Sequence, residues 1–132
     1  MKTTVISTPQ VSSARVHELK SWPLFMDLFQ HSGVRFDVRV NDRNFQKQDY
    51  LLFREYDSSR LPHAYAARCM IFRVSYTLSG WGVSPGHIAL GLQKVGTEKA
   101  QQILDGYLSK AYAHNPNQSW ELVFPVTEPA PT

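Results

Sequence analysis

Residues 34–40 read Val-Arg-Phe-Asp-Val-Arg-Val, a strict alternation of apolar and charged side chains. A period of two fits a strand with one face in a core and one against water, and it fits no helix. On that pattern Phe36 and Val38 are expected to be buried, while Arg35, Asp37 and Arg39 share one polar face. The fold must therefore contain a sheet, and the neighbouring segments must supply its other strands.

They do so on both sides. Residues 15–20 read as a short strand. Trp22-Pro23 opens a helix, since proline is tolerated in a first turn, with Leu24, Phe25, Leu28 and Phe29 on one face and Gly33 as the left-handed stop. After the turn Asn41-Asp42-Arg43-Asn44, residues 49–57 form a strand with Leu51, Phe53 and Glu55 on one side and Leu52, Arg54 and Tyr56 on the other. Residues 58–67 read as a loop. Residues 68–78 then place Met70, Phe72, Val74, Tyr76 and Leu78 on one face of a long strand, and a glycine-rich turn over 79–86 leads to a strand over 87–95. Thr97 and Glu98 begin a helix, and Ala100, Ile103, Leu104, Tyr107, Leu108 and Ala111 make its apolar stripe. Asn115-Pro116-Asn117 stops it, and Trp120, Leu122 and Phe124 suggest a last short strand. Five or six strands and two helices predict an α+β domain built on a small curved or closed sheet. Residues 1–14 are expected to be a flexible arm, 15–95 the domain proper, and 96–132 a C-terminal helix and tail packed on it.

With 132 residues, 42% hydrophobic and 19% charged, the chain suits one globular domain and excludes a mainly disordered one. The single cysteine, Cys69, excludes a disulfide framework and is expected to be a small buried hydrophobe. No apolar run reaches the ~18 residues of a membrane span, which predicts a soluble, cytoplasmic protein with no membrane partner. Net charge is +3, and it is unevenly placed. All eight arginines lie between Arg15 and Arg73, where ten Lys and Arg face seven Asp and Glu; residues 94–132 have three lysines against four acids. An anionic partner is thus expected at the first half of the chain.

Gly80, Gly82 and Gly86 have the wrong spacing for a nucleotide loop and lead into a strand. The five histidines show no metal-ligand spacing, and neither metal nor cofactor is expected. There remains the charged strand with its neighbours. Arg35, Asp37 and Arg39 recur at i+2, Arg43 and Lys47 follow, and Glu18 and Lys20 lie on an adjacent strand. Arginine forks bind phosphate, and Trp22, Tyr50 and Tyr56 offer rings for stacking bases. The same charges also suit cross-strand ion pairs.

Three runs carry a resemblance: His17-Glu18-Leu19-Lys20-x-Trp22-Pro23-x-Phe25, Phe36-Asp37-Val38-Arg39-x-Asn41-Asp42-Arg43-x-Phe45, and Arg54-Glu55-Tyr56-Asp57. With Tyr76-Thr77-Leu78-x-Gly80-x-Gly82 and Ile88-Ala89-Leu90-Gly91-Leu92, they resemble, over residues 16–93, the ASCH-domain family, in a small branch common in bacteriophages and prophages. The resemblance implies a PUA-like β-barrel with flanking helices, here extended by a C-terminal helix, and a cleft that binds RNA or other nucleic acid. Some ASCH relatives hydrolyse acetylated cytidine using a lysine, a threonine and a later carboxylate. In this chain Val34 stands at the lysine position, Asp37 replaces the threonine, and the turn over 79–86 holds no acid.

The leading expectation is therefore a binding domain for RNA or single-stranded nucleic acid, with Lys20, Arg35, Arg39 and Arg43 on phosphates and Trp22 and Tyr56 stacking bases. An enzyme acting on a modified nucleoside in the same cleft would use Lys20, Asp37 or Glu55 in acid–base roles. A third possibility is a phage protein that binds and inhibits a host protein through its C-terminal helix.

Overall fold

A computed structural model describes residues 15–111 and 119–126. The expected arm over 1–14, the helix stop at 115–117 and the end of the tail lie outside these. The order of elements is β1 (Val16–Ser21), α1 (Pro23–His31), β2 (Phe36–Val40), β3 (Tyr50–Tyr56), a 3₁₀ turn (Ser58–Arg60), β4 (Tyr65–Leu78), β5 (His87–Lys94), α2 (Thr97–Ala111) and β6 (Glu121–Leu122). The strands form one mixed sheet in the order β1-β3-β4-β5-β2, with β6 beside β4, curled into a half-barrel. The α+β class is as the sequence predicts, and the six strands among the described residues fall within the five or six expected.

Alternation in β3 builds both sides of the sheet. Leu51 and Phe53 join Leu19, Met26, Phe29, Met70, Phe72, Val74, Ile88, Leu90 and Leu92 in the main core inside the curl, closed at one end by α1. Phe29, Phe53 and Phe72 meet there with ring centroids 5.0–6.0 Å apart. Leu52, on the opposite face, packs with Cys69 and Ile71 beneath Ala100 and Leu104 of α2. Ile103, Tyr107 and Leu108 of the α2 stripe pack, partly buried, against the same cluster. Cys69 is fully buried there, and burial pushes its thiol up to about 12. A guanidinium fixes this outer layer: Arg54 lies 3.8 Å from the Tyr65 ring centre and 4.2 Å from that of Trp120, and donates to Glu18 Oε2 at 2.9 Å. Tyr107 Oη donates to the other oxygen of Glu18 at 2.6 Å, tying α2 to β1.

Two sequence expectations about facing are corrected. In β4, Met70, Phe72 and Val74 enter the core, but Tyr76 and Leu78 do not; they are 50% and 41% exposed. The register of β4 on β5 shifts between Val74 and Tyr76, so Ser75 is an extra residue and every later side chain changes face. In β2 the whole pattern is inverted. Phe36 and Val38 are 55% and 49% exposed, while Asp37 and Arg39 turn inward. The register explains this. Asp37 pairs with Leu90 and Arg39 with Ile88, both core residues, whereas Phe36 and Val38 pair with Gly91 and Ala89 on the outer face. A period of two fixes which residues share a face but leaves open which face meets the core.

Candidate functional site

β1 and β2 are the two ends of the strand path, and among the described residues no backbone ladder joins them. Side chains cross the gap instead. Tyr50 N donates to Arg15 O, which puts the odd-numbered backbone groups of β1 toward β3 and leaves the Glu18 and Lys20 carbonyls facing the seam. Arg39 Nη2 donates to Lys20 O and Arg43 Nη1 to Glu18 O, both at 2.6 Å. From the other side of β2, Leu92 N donates to Arg35 O and Asn41 N to Gly86 O, so the backbone groups of Phe36, Val38 and Val40 face the seam as well.

Above this seam lies a cleft of about 660 Å³. Its apolar lining includes Trp22, just ahead of α1, Phe25 and Leu28 of α1 itself, and Phe36, Val38 and Val40 of β2. Asp37 and Arg39 of β2, with Lys20, Asp42, Arg43 and His87, supply the polar lining. Three cations thus face two carboxylates. Trp22 is half exposed because it stands just before the first turn of α1, where it makes no side-chain cap.

The arginines differ in how far they are committed. Arg39 Nε pairs with Asp37, its guanidinium lies 5.4 Å from the Phe53 ring centre, and its side chain is 25% exposed. Arg39 therefore caps the core as it bridges the seam. Arg43 keeps a 44% exposed side chain beside Asp42 at 3.9 Å, and is the more available for an anion. Arg35 is outside the cleft lining: it donates to the carbonyls of Phe29, Val34 and Val126, binding the end of α1 and the C-terminal segment to β2.

Lys20 reaches the rim, with its ammonium 4.5 Å from the Tyr56 ring centre. Tyr56 itself is away from the cleft, edge-on to Tyr65. Glu55 is gripped through both oxygens by Arg68, which also holds Asp27 and Gln30 of α1. Lys20, Asp37 and Glu55 are therefore not assembled into an acid–base group: the Lys20 ammonium lies over Tyr56, Asp37 pairs with Arg39 and Glu55 pairs with Arg68. Of the nucleic-acid candidates, Lys20, Trp22, Arg39 and Arg43 converge on the cleft, while Arg35 and Tyr56 do not.

Phe25, Val40, Asp42 and His87 line the cleft without having been among the site residues expected from the sequence. His87 is there because it pairs with Val40 across the sheet. A second polar cluster also escaped the sequence. Asp49, almost fully buried, accepts from His17 Nε2 at 2.8 Å, Gln46 N at 3.0 Å and Arg15 Nη2 at 3.0 Å. Burial alone would raise its pKa; the hydrogen bonds from His17 and Gln46 and the Arg15 charge outweigh this and hold it below the usual carboxylate value. Arg15 also donates to the Arg43 and Asn44 carbonyls, so this cluster fixes the turn that presents Arg43.

Among the described residues, no group of His, Cys, Asp and Glu is arranged to hold a metal ion, and no helix is long and apolar enough to cross a membrane. Fold and cleft together define a small α+β half-barrel domain with a lined groove at its open seam. Residues 16–92, more than half the chain, match the family model described as a domain of unknown function (DUF3850), and the chain belongs to that family. The matched segment runs from the first residue of β1 to within two residues of the end of β5, so it holds every cleft residue. No curated protein matches the chain.

Proposed function

We propose that this is a binding domain of ASCH type, with a PUA-like barrel, that receives RNA or another single-stranded nucleic acid in the seam cleft. The observation that carries the reading is the make-up of the lining: a half-exposed Trp22 ring and apolar walls beside Arg39, Arg43 and Lys20. Such a surface suits a base on its apolar part and a phosphate at its cationic end. A volume of about 660 Å³ falls within the range of sites that enclose a small organic ligand, a size that includes one nucleotide. Arg43 is the phosphate contact, Trp22 the stacking ring, and Arg39 the residue that holds the two edge strands in place beneath them.

Fluorescence anisotropy of a labelled single-stranded oligoribonucleotide, titrated at several salt concentrations, tests the proposal. Affinity is expected to fall steeply with salt, and Arg43→Ala to flatten the slope by roughly one unit or less. Absence of binding by the wild type to RNA and DNA at low salt would refute it.

One observation favours a second reading. Phe36, Val38, Val40, Tyr76 and Leu78 lie exposed on the outer faces of β2 and β4, across the small residues Gly91 and Ala89 of β5. An exposed apolar face of this kind suits a protein partner. A folded Tyr76→Ser, Leu78→Ser variant, changed only outside the cleft lining, that retains full nucleic-acid affinity while losing a copurifying protein would favour that reading.

A further inference from the structure

Between β4 and β5 the chain reverses over residues 79–86. Val83 N donates to Gly80 O at 2.9 Å, closing a turn whose central residues, Trp81 and Gly82, have φ of +51° and +91°. Positive φ at both positions is the pattern of a type I′ turn, in which Asn, Asp and Gly are preferred at the first central position. Here a tryptophan occupies it, and it is 91% exposed. Two costs therefore fall on one residue: a bulky L side chain in the left-handed region, and the largest apolar side chain in water. Its own domain, which covers so little of the ring, offsets neither. A strained residue with an uncompensated exposed ring points to a role outside the fold.

The place of this hairpin says which role. Its return limb is bonded to β2: Asn41 N donates to Gly86 O at 2.9 Å, and Val40 pairs with His87. His87 lines the cleft together with Asp42 and Arg43. The hairpin therefore rises from the Arg43 end of the cleft. The Trp22 end is the other one, since Arg39 meets Lys20 while Arg43 meets Glu18, two residues further from Trp22 along β1. The five residues of β2 between these ends span roughly 17 Å, a length that takes more than one nucleotide.

We infer that Trp81 is a second stacking platform, taking a base of the single strand as it leaves the cleft past Arg43. This deepens the reading of the cleft as a nucleic-acid site and rests on it. On this inference a strand held at both ends needs a minimum length, so a dinucleotide seated in the cleft gains nothing from Trp81.

The test measures binding of fluorescein-labelled oligouridylates of two and ten nucleotides to the wild type, Trp81→Ala, Trp81→Phe and Trp81→Asn. Trp81→Ala is expected to raise the Kd of the ten-mer roughly fivefold to a hundredfold, the effect of removing one stacked base, and to leave the dinucleotide unchanged. Trp81→Phe retains most of the ten-mer affinity. Trp81→Asn places a residue suited to the left-handed turn, so it melts no lower than the wild type yet binds the ten-mer as weakly as Trp81→Ala. Equal ten-mer affinity in the wild type and Trp81→Ala overturns the inference and leaves the cleft reading standing; it is the result expected if Trp81 serves a protein partner. A wild type that binds neither oligonucleotide overturns both.

Discussion

Arg39 Nη2 donates to the carbonyl oxygen of Lys20 at 2.6 Å, so one side chain spans the gap that a backbone ladder would close in a complete barrel. The same guanidinium pairs with Asp37 and covers Phe53. It therefore acts in three ways at once: it satisfies an edge carbonyl, neutralises an inward carboxylate and shields the core.

Arg39→Ala is expected to destabilise the domain by about 1–3 kcal/mol, because Lys20 O and the Asp37 carboxylate both lose a charge-assisted donor. In an Asp37→Asn background the same change costs less, since the carboxylate that needed the cation is gone. Urea unfolding of the two single variants and the double variant measures the difference. Additive losses would refute the coupling.

Phe36→Ala is expected to cost less than about 1 kcal/mol, as a substitution on a half-exposed outer face does. Phe53→Ala, a fully buried ring in contact with Phe29 and Phe72, costs about 3–5 kcal/mol. Chemical denaturation of the pair tests the inverted facing of β2 directly. Equal losses would return Phe36 to the core.

Gly91 is defined by Tyr76, which lies over it from the neighbouring strand. A Cβ at position 91 would stand 2.0 Å from Tyr76 Cε2. Because Tyr76 is half exposed, its ring can swing into solvent, and Gly91→Ala then costs about 1 kcal/mol, the worth of the lost ring contact. In a Tyr76→Ala background the clash is absent and the substitution is neutral. Thermal melts of the four proteins complete the cycle.

Asp49 sets an acid limit. Its hydrogen bonds and the Arg15 charge hold its folded pKa below the ordinary aspartate value, so the stability it contributes is fully present above that ordinary value and is lost as pH falls through the folded pKa. Asp49→Asn is expected to cost about 1–3 kcal/mol at pH 7, with the gap to the wild type constant down to roughly pH 4 and closing below it. Urea midpoints between pH 2 and 7 follow the gap. A difference that grows on acidification would contradict the sign.

How much of this is legible in the chain depends on the range of the interactions concerned. The strand over 34–40, the helix opened by Trp22-Pro23, the two faces of β3 and the burial of Cys69 follow from local pattern, because backbone periodicity and turn chemistry act over a few residues. So does the concentration of arginines in the first half of the chain. The facing of β2 does not follow, since alternation is symmetric and only the pairing of Asp37 with Leu90 and Arg39 with Ile88 decides which side meets the core. Nor does the change of face in β4, where a single extra residue, Ser75, shifts the register against β5. The site shows the same division. The sequence determined that Lys20, Trp22, Arg39 and Arg43 are residue types able to hold an anionic strand. Only the tertiary structure gathered these four, diverted Arg35 to the carbonyls of Phe29, Val34 and Val126, locked Glu55 to Arg68, and brought His87 beside Val40. Partners many residues apart are chosen by how strands pair and curl, and that choice minimises the free energy of the whole sheet rather than of any segment of it.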